Sequence, residues 1–153
     1  MKKVVAFLLV LVLGAALCVP ALAAGPQEVV VSRQVQRLSE DAYVVITLTE
    51  TRVFTRAGVY EKTGHRNYDY VLHGVLQWTF TVQGVFTVDP GVSSVCTNSG
   101  YGFTPHVTSW SLSSPGSSYS YSGSTATAWG TVRGETIVSP SVSVSCDANG
   151  SLF

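Results

Sequence analysis

Residues 75–88, VLQWTFTVQGVFTV, alternate with a period of two along almost their whole length. Leu76, Trp78, Phe80, Val82, Gly84, Phe86 and Val88 share one parity. Gln77, Thr79, Thr81, Gln83 and Thr87 share the other, and only Val85 interrupts the polar row. Successive side chains of a strand point to opposite faces, whereas a helix needs apolar residues three and four apart. The stretch therefore predicts a long antiparallel strand with one buried face, and places Trp78 in the core. Gly84, in mid-run, predicts a bend where the strand curves or crosses between sheets.

Other runs repeat the pattern. Val44, Ile46 and Leu48 alternate with Val45, Thr47 and Thr49, and Thr108, Trp110 and Leu112 form a short run. Ala126, Ala128, Gly130 and Val132 oppose Thr125, Thr127, Trp129 and Thr131; Val142, Val144 and Cys146 oppose Ser141, Ser143 and Ser145. His73-Gly74 between two strand-like runs predicts a tight hairpin. DPG at 89–91, SSPGSS at 113–118 and SGS at 122–124 are predicted turns, and SGYGFTP, with Tyr101 and Phe103, a Gly-rich loop. SRQVQRLSEDA is the helical candidate, but its pattern equally fits a strand leading into a turn. Eight or nine short strands with close turn signals predict an all-β fold, an antiparallel β-sandwich of immunoglobulin-like type. A barrel is the alternative. The immunoglobulin likeness is one of fold alone, since no Trp stands where such a core Trp would be recognised.

The N-terminus constrains location. Lys2 and Lys3 precede the apolar run VVAFLLVLVLGAALCV, Pro20 breaks it, and ALAA supplies small residues for cleavage. Residues 1–24 thus read as a secretory signal peptide cut after Ala23 or Ala24. An uncleaved anchor is the alternative, because the run approaches the ~20 residues that span a bilayer. Lipidation at Cys18 is disfavoured by the bulky Leu17 before it. Residues 25–153 then form a single secreted domain. They carry seven basic and nine acidic side chains, net −2, with no basic patch, which argues against nucleic acid and against a membrane surface after cleavage. Thirteen of those charges fall in residues 25–90 and three in 91–153. The Ser and Thr that replace them alternate with apolar residues, as on the wet face of a sheet, so one domain is the better reading.

Two cysteines remain, Cys96 and Cys146. An even pair in an oxidising compartment predicts one disulfide. Closing its loop of about 50 residues would contribute about 4 kcal/mol. Free thiols or a metal site are the alternatives, and the second lacks clustered Cys and His.

The stretch VLQWTFTVQGVFTVDPGVSSVCTNS, the later SGSTATAWGTV and the ending SVSVSCDANGSL resemble a group of small secreted two-cysteine proteins of Gram-positive gut bacteria. In that group a Trp-bearing Thr/Val strand leads to a first Cys, and a closing strand carries the second. The resemblance covers residues 60–153. It implies export and a β-sandwich, and it implies nothing about mechanism.

Catalytic signatures are missing. The chain has no G-x-S-x-G, H-E-x-x-H or C-x-x-C motif and no phosphate loop. His65, His73 and His106 sit beside turn-like residues, and among so many serines a match to a triad carries no weight. DANG at 147–150 reads as a turn rather than a piece of a calcium loop. No cofactor and no metal are expected. The distinctive positions are the aromatics Tyr119, Tyr121, Trp129 and Tyr101, read as a ligand-binding patch on a wet face. In the opposite reading they face the core and the small residues face out. The expected function is a secreted, non-enzymatic module binding an extracellular glycan or protein. The alternatives are a structural cell-envelope protein and a small hydrolase.

Overall fold

The computed structural model describes residues 28–54, 58–120 and 123–153. The expected leader, residues 1–24, lies outside them. Among the described residues no helix is long and apolar enough to cross a membrane.

Strands β1 (Val29–Arg37), β2 (Ala42–Phe54), β3 (Tyr60–Leu72), β4 (Val75–Asp89) and β5 (Ser93–Pro105) form one antiparallel sheet in chain order. Strands β6 (Ser111–Tyr119), β7 (Thr125–Arg133), β8 (Ile137–Val138) and β9 (Ser141–Ser145) form the second. In that second sheet β7 is central. It pairs β6 on one side, and β8 and then β9 on the other, so these two short strands act as one strand broken at Ser139-Pro140. The architecture is all-β and sandwich-like, as expected. The segment SRQVQRLSEDA resolves as a strand leading into a turn.

The alternating stretch is β4. Trp78, Phe80, Val82, Phe86 and Val88 are fully buried on its inner face, and Thr87 and Gln83 are exposed on the other. The second sheet answers these large side chains with small ones, Ala126, Ala128 and Gly130 of β7. This complementarity explains Gly84. A Cβ there would lie 2.7 Å from Cζ of Phe86 and 3.0 Å from Cβ of Ala126, so only glycine lets the two layers close. The ladder slips one residue later, where Val85 pairs Asn98 but Phe86 pairs Cys96. His73 and Gly74 both take positive φ, 51° and 77°, and close the two-residue hairpin as expected.

Two loop or turn expectations and one strand expectation are corrected. SGYGFTP is part of β5, because β4 offers it an unbroken partner along that length. SSPGSS is not a chain reversal. It is a bulge inside β6 between Ser113 and Gly116, with Ser114 at φ 50°. Thr108 lies outside any strand, and β6 begins only at Ser111. The DANG segment is a turn, its Asp147 carboxylate accepting the N–H groups of Asn149 and Ser151 at 2.9 and 2.8 Å.

The expected disulfide is also corrected. Cys96 and Cys146 are both buried in the core, as parity predicted for Cys146, but they are free thiols too far apart to bridge. Each is hydrogen-bonded to a carbonyl close by in the chain. Cys96 on β5 donates to the Asn98 carbonyl at 3.2 Å, and Cys146 after β9 donates to the Asp147 carbonyl at 3.6 Å. Burial pushes both thiols above their ordinary 9.0, and it likewise raises the Tyr68 and Tyr70 phenols above 10.0.

The folded chain therefore holds protons that the unfolded chain releases. The stability this confers is complete below pH 9.0 and is lost as pH climbs through the raised folded values. Melting temperatures are expected to stay level towards pH 8 and then fall steadily into the alkaline range. In the same samples, both thiols should ignore an aromatic disulfide reagent until denaturant is added, and then react in full. An intact mass 2 Da lower than the dithiol, or two reactive thiols in the native state, would contradict this core.

Candidate functional site

Strand β7 sends Ala126, Ala128, Gly130 and Val132 inward, which leaves Thr125, Thr127, Trp129, Thr131 and Arg133 on the outer face. Trp129 is paired with Gly116 on one side and Ser141 on the other. Its indole lies across the β6 backbone: a Cβ at Gly116 would sit 2.6 Å from Cζ2 of Trp129. The bulge in β6 places the glycine there. The ring is thus held flat against its own sheet while 42% exposed. Hydroxyls surround it. Thr125 and Ser145 share a hydrogen bond at 2.8 Å, as do Thr127 and Ser143, while Arg133 Nε donates to Ser113 Oγ at 3.3 Å.

The other aromatics expected beside Trp129 do not join it. Tyr119 pairs with Ala126 and so faces inward, half-buried against the core. Tyr101 is 46% exposed, yet it stands opposite Val82 on the inner parity of the first sheet and stacks on Phe80 at 6.5 Å. Tyr121 lies outside the described residues. Trp129 alone among the described candidates occupies the hydroxyl face. The reason is geometric: paired residues of neighbouring strands share a face, and which residues pair depends on the bulge at Ser113–Gly116.

A second feature was not anticipated. The second sheet does not reach β1, so the inner face of that strand stays uncovered and its nine residues are all exposed. A groove of about 290 Å³ runs between this overhang and β9. Gln34 and Gln36 of β1, Ile46 of β2, Arg66 and Tyr68 of β3, and Ser141 to Ser143 of β9 line it. Burial lowers the Arg66 pKa from its ordinary value. The readable signal was polar residues on an apolar parity: register places Gln34 with Ile46, and Arg66 between Leu48 and Val82.

The histidines are dispersed. His65 Nδ1 lies 3.4 Å from Glu28, and the exposed His73 lies 3.9 Å from Asp41. His106 Nε2 lies 3.1 Å from Thr79 Oγ1, whose proton goes to Asp69 at 2.7 Å. That wiring runs opposite to a nucleophile activated by imidazole, because the hydroxyl is spent on the carboxylate. Among the described residues no group of three or more His, Cys, Asp or Glu is placed to hold a metal ion. No family model, no curated protein and no solved structure matches the chain.

Proposed function

We propose that the protein is an exported, non-enzymatic binding module that holds an extracellular glycan against Trp129. In this reading residues 1–24 direct export and residues 25–153 form one immunoglobulin-like sandwich. Lys2, Lys3, the apolar run and ALAA support export, as does the resemblance to small secreted two-cysteine proteins. Buried thiols are compatible with an oxidising compartment, because burial withholds the thiolate that would exchange.

One observation carries the ligand class. Trp129 lies flat on Gly116, exposed in the middle of a Ser/Thr face. A flat indole offers an apolar platform for one face of a sugar ring, and neighbouring hydroxyls suit the ring's own hydroxyl groups. The platform is pre-formed, so little side-chain entropy is lost on binding.

Pull-down on insoluble polysaccharides and cell-wall preparations tests the reading. The protein is expected to be retained, and Trp129→Ala to lose retention by at least about tenfold, as removal of a central aromatic anchor does. Because Trp129 is exposed, the variant should melt within a few degrees of the parent, which separates lost binding from lost fold. Equal retention of parent and variant would remove Trp129 from the site. No retention on any matrix would remove the glycan.

A further inference from the structure

Strand β9 is bonded on one side only over most of its length. Cys146 N–H donates to Ser124 O, and Gly130 N–H to Pro140 O, so even-numbered residues of this segment direct their backbone groups to β7. Ser145 exchanges both its backbone bonds with Phe153 on the other side. By that alternation the N–H and C=O groups of Ser141 and Ser143 point away from β7 along the groove, and none has a backbone partner among the described residues. This is a free strand edge, able to accept one more strand.

Arg66 faces the same groove. It stands on the inner parity of β3 between Leu48 and Val82, half-buried. The ion pairs of the described residues engage Arg52, Lys62, His65 and His73, and none engages Arg66. Among the described residues it is the sole charged side chain lining the groove. Among the described residues, Gln34 and Gln36 beside it make no side-chain hydrogen bond. A guanidinium kept partly out of water without a carboxylate is held at a cost, and it is arranged to receive an anion.

We propose that an extended peptide segment of a partner protein adds to the free edge of β9 and seats an acidic side chain on Arg66. The edge repeats its donors and acceptors every second residue, the spacing of a peptide backbone and not of a sugar chain. A strand bound there turns alternate side chains toward the first sheet, where Ile46 and Tyr68 offer apolar contact and Arg66 offers charge. The site uses the backbone edge of Ser141 and Ser143, whose side chains border the Trp129 face, and it does not require the indole.

The test is fluorescence polarisation with a labelled heptapeptide, Thr-Val-Thr-Glu-Thr-Val-Thr, which puts Val, Glu and Val on one face. Its Gln counterpart and a version with alternate backbone nitrogens methylated serve as comparisons. The Glu peptide is expected to bind at least about tenfold tighter than the Gln peptide, the scale of one charge-assisted hydrogen-bond pair. Methylation should abolish binding, and Arg66→Gln should erase the Glu preference. The Glu–Gln comparison on the unmodified protein stands even if that variant misfolds. Equal affinity for Glu and Gln, undiminished binding of the methylated peptide, displacement by a glucuronate oligosaccharide, or no binding at millimolar peptide would each overturn the proposal.

Discussion

Replacing Trp78 with alanine is expected to destabilise the fold by about 3–5 kcal/mol, the cost of emptying a large aromatic site in a packed core. For a domain whose total stability lies near 5–15 kcal/mol, that is a large share. It corresponds to roughly 10–20 °C in melting temperature at this chain length. Trp78 is fully buried and organises the aromatic half of the core. Tyr70 and Tyr68 stack on it at 5.2 and 5.8 Å, and Phe103 and Trp110 lean on it at 6.2 and 6.3 Å. Tyr68 and Tyr70 come from β3, Phe103 from β5, and Trp110 from the connection into the second sheet. Removing the indole therefore loosens three strands and their link at once. Trp78→Phe should cost much less. It keeps most of the stacking area and removes a buried indole N–H that has no hydrogen-bond partner among the described residues. Chemical denaturation of the two variants checks both values. If Trp78→Ala lost less than about 1 kcal/mol, Trp78 would not be the organising residue of this aromatic cluster.

The same residue shows what a sequence of this kind discloses. Trp78, Phe80 and Val82 are legible because alternation is a local property, expressed within one strand. His73-Gly74 is legible for the same reason, since positive φ at both positions is a demand that few residue pairs meet. The misread segments depend on partners far along the chain. Gly100 and Gly102 have weak strand preference, yet the ladder with β4 carries them into β5. Ser114-Pro115 looks like a reversal, but β7 pairs on either side of it, so the chain bulges and continues. Parity correctly turned Cys146 inward, but it carries no information about the distance to Cys96. Parity also exposed Trp129 correctly while leaving Tyr119 on the wrong side of the same sheet. The groove at Arg66 was least legible, because it exists only where the second sheet ends and β1 runs on. Coverage of one sheet by another is a tertiary fact.

Lys62 gives the second large expected effect. Its ammonium is buried on the inner face of β3, 2.5 Å from Glu50 of β2 and hydrogen-bonded to the Gly150 carbonyl. It ties the first sheet to the C-terminal turn that closes beside β9. Gly150 takes φ 79° there, with Tyr60 packed against the space a side chain would need. Lys62→Ala should cost about 3 kcal/mol, because it leaves a carbonyl without its donor and Glu50 without its main cation. Arg52, 3.6 Å from Glu50 at the surface, softens the loss without replacing it. The double variant Lys62→Met with Glu50→Leu is expected to be closer to the parent than Lys62→Ala. Removing both charges removes the desolvation cost together with the attraction, and the Met stem refills the space. A double-mutant cycle read by denaturant unfolding should thus show coupling well above the few tenths of a kcal/mol found for distant sites. Additive effects would mean that Lys62 and Glu50 act independently, and that the C-terminal turn is held by packing around Tyr60 and Leu152 instead.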